Sequence, residues 1–128
     1  MELVPFRPEH LAGIEPPAMT PEQLACFRRR YRPRGPAWTG IEAGRVLGCG
    51  GIIVNDGVGT GWVVLSRPVN AVAVHRAVLR ALRDASRTGD LQRIEAATLT
   101  AWPAGCRWLE RLGFRLERIE GEYRRYAR

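Results

Sequence analysis

The sequence predicts an α+β domain built on a mixed, mostly antiparallel sheet of about six to seven strands flanked by helices. Three observations carry that expectation. Thr60 to Ser66 reads as a short buried strand, followed by a break at Arg67-Pro68-Val69-Asn70 and the longest helix of the chain, Ala71 to Arg87. A further strand over Arg93 to Thr100 completes a strand–helix–strand unit, whose two strands run parallel. On either side of that unit, strand-like runs are joined by short turn signals, which make antiparallel neighbours.

The chain has 128 residues, enough for one domain over 1–128 with a core of its own. No apolar run approaches a membrane span, and the N-terminus has no basic-then-apolar leader, so a cytoplasmic protein is expected. Cys26, Cys49 and Cys106 are odd in number and widely spaced, which supports neither a disulfide framework nor a zinc site. They read as buried small apolar residues. Net charge is +7, and every basic residue is arginine. That charge suits phosphate, in a nucleotide cofactor or a nucleic acid, or simply a solvated surface. No aromatic–basic pattern of a nucleic-acid reader is present, so nucleic acid is the weaker expectation.

Taken in order, Leu3 to Arg7 forms a first strand, at an edge because Pro5 cannot donate to a ladder. Arg7-Pro8-Glu9-His10-Leu11 opens a short helix, with His10 as a surface or capping residue. Thr20-Pro21-Glu22-Gln23 has the form of a capping box, and Leu24, Phe27 and Tyr31 follow at helical spacing to face the core. Arg28, Arg29, Arg30, Arg32 and Arg34 crowd this helix's end, where its dipole favours cations. Trp38 to Ala43 and Arg45 to Asn55 make a hairpin through Ala43-Gly44. The glycines at 48, 50 and 51 indicate a bulge or a close approach, and Asn55-Asp56-Gly57 turns into the next strand. In the long helix Ala71, Val74, His75, Val78, Leu79, Leu82 and Ala85 form an apolar face, and Arg76, Arg80, Arg83 and Arg87 a basic stripe. Pro103 opens a last helix with Cys106, Leu109 and Leu112 inward and Gly113 as its stop. Phe114 to Ile119 and Glu122 to Ala127 close the chain as a hairpin.

This order of elements, with Ala104-Gly105-Cys106-Arg107-Trp108-Leu109-Glu110-Arg111-Leu112-Gly113-Phe114 as its most specific segment, resembles the GNAT superfamily of acyl-CoA-dependent N-acyltransferases. The opening Arg7 to Leu11 and the Gly48 to Ile52 strand are similar too. The short GNAT-like proteins encoded by bacteriophages are the nearest resemblance.

The resemblance implies that the fourth strand splays from the fifth and that the pantetheine arm of acetyl-CoA lies in the gap, beside Val63, Val64, Leu65 and Ser66. It implies a pyrophosphate seat at the start of the long helix, involving Arg67, Ala73, Val74, His75 and Arg76, and a further cofactor contact at Trp102. The family's Arg/Gln-x-x-Gly-x-Gly/Ala motif falls on Asn70 to His75, with Asn70, Ala73 and His75 at its defining positions. Small residues there let phosphate oxygens reach backbone N–H groups. Here either CoA binds differently or the site is lost; His75 either donates to phosphate or faces the core. The family's proton-donating Tyr corresponds to Leu109, and the acids available to deprotonate an amine are Glu42 and Asp56. The expected activity is acetyl transfer from acetyl-CoA to an unknown primary amine, with no metal; the alternative is a catalytically inactive, phage-derived structural or interaction protein. A homodimer is left open.

Overall fold

The computed structural model describes residues 1–128. A seven-stranded sheet runs in the order β1-β2-β3-β4-β5-β7-β6. Its strands are β1 (Glu2–Pro5), β2 (Ala37–Glu42), β3 (Arg45–Asn55), β4 (Val58–Leu65), β5 (Arg93–Leu99), β6 (Arg115–Glu120) and β7 (Tyr123–Ala127). The helices are α1 (Pro21–Arg30), α2 (Ala71–Arg87) and α3 (Pro103–Arg111), with a 3-10 helix at Pro8–Gly13. All pairings described are antiparallel except β4 with β5. The mixed α+β architecture is therefore the expected one, including β1 at an edge. Strand ends differ by at most two residues from the sequence reading: β4 starts at Val58 rather than Thr60, and β6 at Arg115 rather than Phe114. No helix is long and apolar enough to cross a membrane. The chain divides into two compact units, Met1–Ile53 with Trp62–Val78, and Val54–Gly61 with Leu79–Arg128.

In the first unit the core gathers around Phe6, Leu11, Ile14 and Cys49, with Leu24, Phe27, Tyr31, Trp62 and Val64 packed against them. The capping box forms as expected: Gln23 N–H donates to Thr20 Oγ1 and Thr20 N–H to Gln23 Oε1. Leu24 and Phe27 reach the core but stay half-buried, and Tyr31 lies just past the helix as its C-cap. His10 does cap: Arg7 N–H donates to its Nδ1 at 3.1 Å. That nitrogen accepts and so carries no proton, which makes the Thr39 hydroxyl, 2.7 Å away, its second donor. The Cys49 thiol lies 3.6 Å from Thr39 Oγ1 and completes this buried chain. Burial pushes the Cys49 thiol up, opposed by the Thr39 contact, so it stays protonated. Cys106 is buried as well, whereas Cys26 is only half-buried, on α1.

The β2–β3 hairpin turns through Ala43 (φ 51°) and Gly44 (φ 75°), both left-handed as a two-residue turn between twisted strands requires. Both readings of the β3 glycines hold. The register slips opposite Gly40/Ile41, so Leu47 is the extra residue of a bulge. A Cβ on Gly48 would stand 2.8 Å from Leu65 Cδ2 and 2.9 Å from the Val64 carbonyl oxygen, so β3 approaches β4 more closely than any side chain would permit.

In the second unit β4 and β5 pair in parallel over Val58–Thr60 with Arg93–Glu95. Beyond that point β5 continues antiparallel with β7 as far as Leu99. Helix α3 ends in a Schellman motif, with Phe114 N–H donating to the Leu109 carbonyl, Gly113 N–H to that of Glu110, and Gly113 at φ 93°. Along α2, Val74, Leu82 and Ala85 are buried, while Val78 and Leu79 are half-buried. Ala71 does not share that face; as the first helical residue it is exposed.

Candidate functional site

The first unit contains a strand-to-helix junction where β4 ends and α2 begins. Ser66, the residue after β4, is wholly buried. Its N–H donates to the Leu47 carbonyl, its Oγ donates to the Val46 carbonyl at 2.8 Å, and the same Oγ accepts from Glu15 N–H at 3.0 Å. The Ser66 side chain is therefore consumed in tying three chain segments together, and its hydroxyl is not presented to a ligand. Arg67 N–H donates to the Glu15 carbonyl at 2.6 Å. From the hairpin, Arg45 reaches across with Nη2 donating to the Arg67 carbonyl at 3.0 Å and Nη1 to that of Pro68 at 3.5 Å. The loop is thus held at both ends.

Asn70 is the cap of α2. Its Oδ1 accepts from Ala73 N–H at 3.2 Å and its backbone carbonyl from Val74 N–H at 3.0 Å. The N–H groups of Ala71 and Val72 precede the first intrahelical bond and point out of the helix end. No acidic residue lies in this first turn, Val72 is 63% exposed, and Arg67 and Arg76 are exposed beside it. The local field therefore favours an anion. Ala73 and His75 are half-buried and Val74 is buried, so Val74 belongs to the core and the expected seat narrows to the first turn. On β4, Val63 is exposed and Val64 and Leu65 are half-buried.

Glu42 and Asp56 occupy structural positions. Glu42 ends β2 and faces the N-terminal ammonium group at 3.6 Å. Asp56 (φ 47°) and Gly57 (φ 79°) form the left-handed turn between β3 and β4.

In the second unit, Trp102 stands at the N-terminus of α3, 46% exposed, with its ring folded over Gly105. Leu109 is half-buried and offers no proton. Sequence reasoning missed a polar group on the neighbouring strands: Thr100 Oγ1, Arg124 Nε and the Tyr126 hydroxyl are buried without a hydrogen-bond partner. The β5–β7 register pairs Thr98 with Arg124 and Ala96 with Tyr126, which puts Arg124 and Tyr126 on one sheet face. Burial pushes the Tyr126 phenol up, and the adjacent Cys106 thiol adds to the shift. The cross-strand register reveals which polar groups Tyr126 joins.

The fold is that of the GNAT acetyltransferases. The GNAT domain of S. lividans PAT superposes with a TM-score of 0.76 at 12% identity, over 98% of this chain and 88% of that one. A GNAT-family acetyltransferase from Bacillus anthracis gives 0.76 at 14%, over 98% and 92%. A point mutant of the spermidine N-acetyltransferase SpeG from Vibrio cholerae gives 0.74 at 16%, over 99% and 94%. These are likenesses of fold; no family model and no curated relative matches the sequence.

Proposed function

We propose that this chain is an acyl-CoA-dependent N-acetyltransferase that moves an acetyl group from acetyl-CoA to a primary amine. The observation that carries this reading is the β4–α2 junction: outward N–H groups at Ala71 and Val72, no acid in the first turn, and Arg67 and Arg76 beside it. The GNAT-type fold supports the same reading, with Val63, Val64 and Leu65 as pantetheine contacts. The amine nitrogen attacks the thioester carbonyl, the C–S bond breaks, and the thiolate leaves as the amine loses a proton. Holding the two reactants together supplies much of such a rate, so the absence of a donor at Leu109 is compatible with transfer. A net charge of +7 favours an amine carried on a neutral or anionic body over a polycation such as spermidine.

Titration calorimetry with acetyl-CoA and with CoA tests this directly. Binding should be saturable, and a hundred-fold excess over Kd should stabilise the fold by about 2.7 kcal/mol. Absence of both heat and thermal shift at millimolar ligand would overturn the proposal.

Glu42 and Asp56 are the acids to test as the base that deprotonates the amine. Glu42→Gln or Asp56→Asn should lower kcat/KM by about a hundred-fold for the residue that serves. Asn tolerates the left-handed turn at position 56, so a folding loss does not confound that variant. If both variants turn over at the wild-type rate, the proton goes to solvent.

A second reading, a GNAT-fold interaction protein of phage derivation without activity, is favoured by Leu109 and by the Asn70 cap over Ala73 N–H. It would give CoA binding without turnover for any amine offered, or no binding at all.

A further inference from the structure

Thr100 Oγ1, Arg124 Nε and the Tyr126 hydroxyl, the three buried polar groups without a partner, stand on one face of the second unit's strands. Ile94 and Arg128 exchange both backbone bonds, and Thr100 N–H donates to the Glu122 carbonyl, so the β5–β7 ladder runs on to Thr100. Alternation then puts Ile94, Ala96, Thr98 and Thr100 on the same face as Arg124 and Tyr126. It is the covered face: Ile94 is 3% exposed, Thr98 8% and Tyr126 1%, whereas Ala97 and Leu99 between them are exposed. The buried Cys106 of α3 lies over it, beside Tyr126. A buried polar group with no partner destabilises the fold, and three at one place are a cost that a ligand bonding all of them would remove.

The chemistry of the three groups defines the ligand. Arg124 supplies a permanent positive charge with an N–H to donate, and Tyr126 and Thr100 each supply a hydroxyl that can donate. Neighbouring arginines are already held by carboxylates on the opposite face, Arg93 by Glu95 and Glu117, and Arg118 and Arg125 by Glu120. Arg124 Nε is not. Glu110 of α3 and Glu122 of the turn before β7 are exposed, and neither bonds it. The margin of the site is apolar. The β6 ladder skips Glu117 as the extra residue of a bulge, so Leu116 stands opposite Tyr126 and Ile119 opposite Arg124. Both apolar side chains thereby share the face of the polar groups, about 4.5–5.5 Å from them at Cβ. They are 43% and 57% exposed, so α3 does not close over β6, and the half-buried Arg124 adjoins that open margin.

We propose that Arg124, Tyr126 and Thr100 hold the carboxylate of an aliphatic monocarboxylic acid whose chain lies on Leu116 and Ile119. The carboxylate accepts from Arg124 Nε–H and from the two hydroxyls, and charge-assisted bonds of this kind are the strong ones. The chain covers the exposed apolar pair. An alkylammonium ion would set a cation against Arg124, an alcohol lacks the charge, and inorganic phosphate has no apolar part. None of these residues belongs to the β4–α2 junction, so the site stands independently of acetyl transfer.

Hexanoate is the probe, titrated into the full chain alongside hexylamine, hexanol and inorganic phosphate. The readouts are the melting temperature and the Arg124 Nε–H resonance, assigned by its loss in Arg124→Met. Hexanoate should raise the melting temperature saturably and move that resonance. The other three, at equal millimolar concentration, should do neither. Tyr126→Phe and Thr100→Val each delete one hydroxyl with little change of shape. Their ligand-free melting temperatures should hold or rise, because the group removed had no partner. Each should weaken hexanoate binding about ten-fold, and Arg124→Met should weaken it further. If Arg124→Met fails to fold, Arg124→Lys, which keeps the charge without Nε–H, takes its place. Hexylamine or hexanol binding as well as hexanoate, phosphate displacing it at equal concentration, or an unmoved Arg124 resonance would overturn the proposal. So would unchanged hexanoate affinity in both hydroxyl variants.

Discussion

Replacing Phe6 with alanine should cost about 3–5 kcal/mol of stability, the largest loss expected from any single substitution in this chain. Phe6 is 8% exposed and lies at the centre of the first unit's core. Three rings meet it edge-on: Trp62 at 5.2 Å, Tyr31 at 5.4 Å and His10 at 6.3 Å. Such pairs add about 0.5–1.5 kcal/mol each beyond the area they bury. These rings come from β4, the end of α1 and the 3-10 helix, so one side chain joins three elements. Its backbone bond to the Ala37 carbonyl survives the substitution, and the loss is therefore one of packing. Denaturant unfolding of wild type, Phe6→Ala and Phe6→Leu gives the measurement, with Phe6→Leu recovering more than half of the loss. A Phe6→Ala cost below about 1 kcal/mol would show that the surrounding rings collapse into the space and that Phe6 does not join them.

The parts of the fold legible in the sequence are those whose causes lie within a few residues of one another. The Ala71 and Arg87 ends of α2, the Thr20/Gln23 capping box, the two left-handed turns and the Gly113 stop all depend on side chain and backbone chemistry inside one turn. What was not legible depends on residues brought together from far along the chain. Arg45 clasps the Arg67 and Pro68 carbonyls from 22 and 23 positions away. The resemblance makes Ser66 a cofactor contact, yet its hydroxyl is committed to Val46 and Glu15. Ala71 fits the apolar repeat, but at the first helical position it has no turn before it to bury it. The β6 bulge is likewise silent in sequence, because nothing in Arg-Leu-Glu-Arg-Ile-Glu says which residue the ladder will skip. At the junction to which the resemblance points, the packing is specific: of the six residues aligned with the phosphate motif, Asn70 caps the helix, Val74 is buried, and only Ala71 and Val72 present outward N–H groups.

Val72→Glu should weaken acetyl-CoA binding by about thirty-fold or more while leaving the fold at least as stable as before. The two effects come from opposite sides of the same electrostatics. Val72 is the second residue of α2 and 63% exposed, so little packing is lost when its side chain changes. A carboxylate in a helix's first turn interacts favourably with the dipole, worth about 0.3–1 kcal/mol, and glutamate has the better helix propensity. The melting temperature should therefore hold or rise. For a bound pyrophosphate the same carboxylate is a like charge at contact range, competing for the N–H groups that would hold the ligand, at a cost of about 2 kcal/mol or more. Val72→Gln is the control, since it has the same length without the charge and should bind within about three-fold of wild type. Raising the salt should shrink the gap between the two variants, because the repulsion is exposed and screened. Equal affinity for wild type and Val72→Glu would remove the helix terminus from the site. Loss of affinity in Val72→Gln as well would point to steric crowding at the first turn, with charge playing no part.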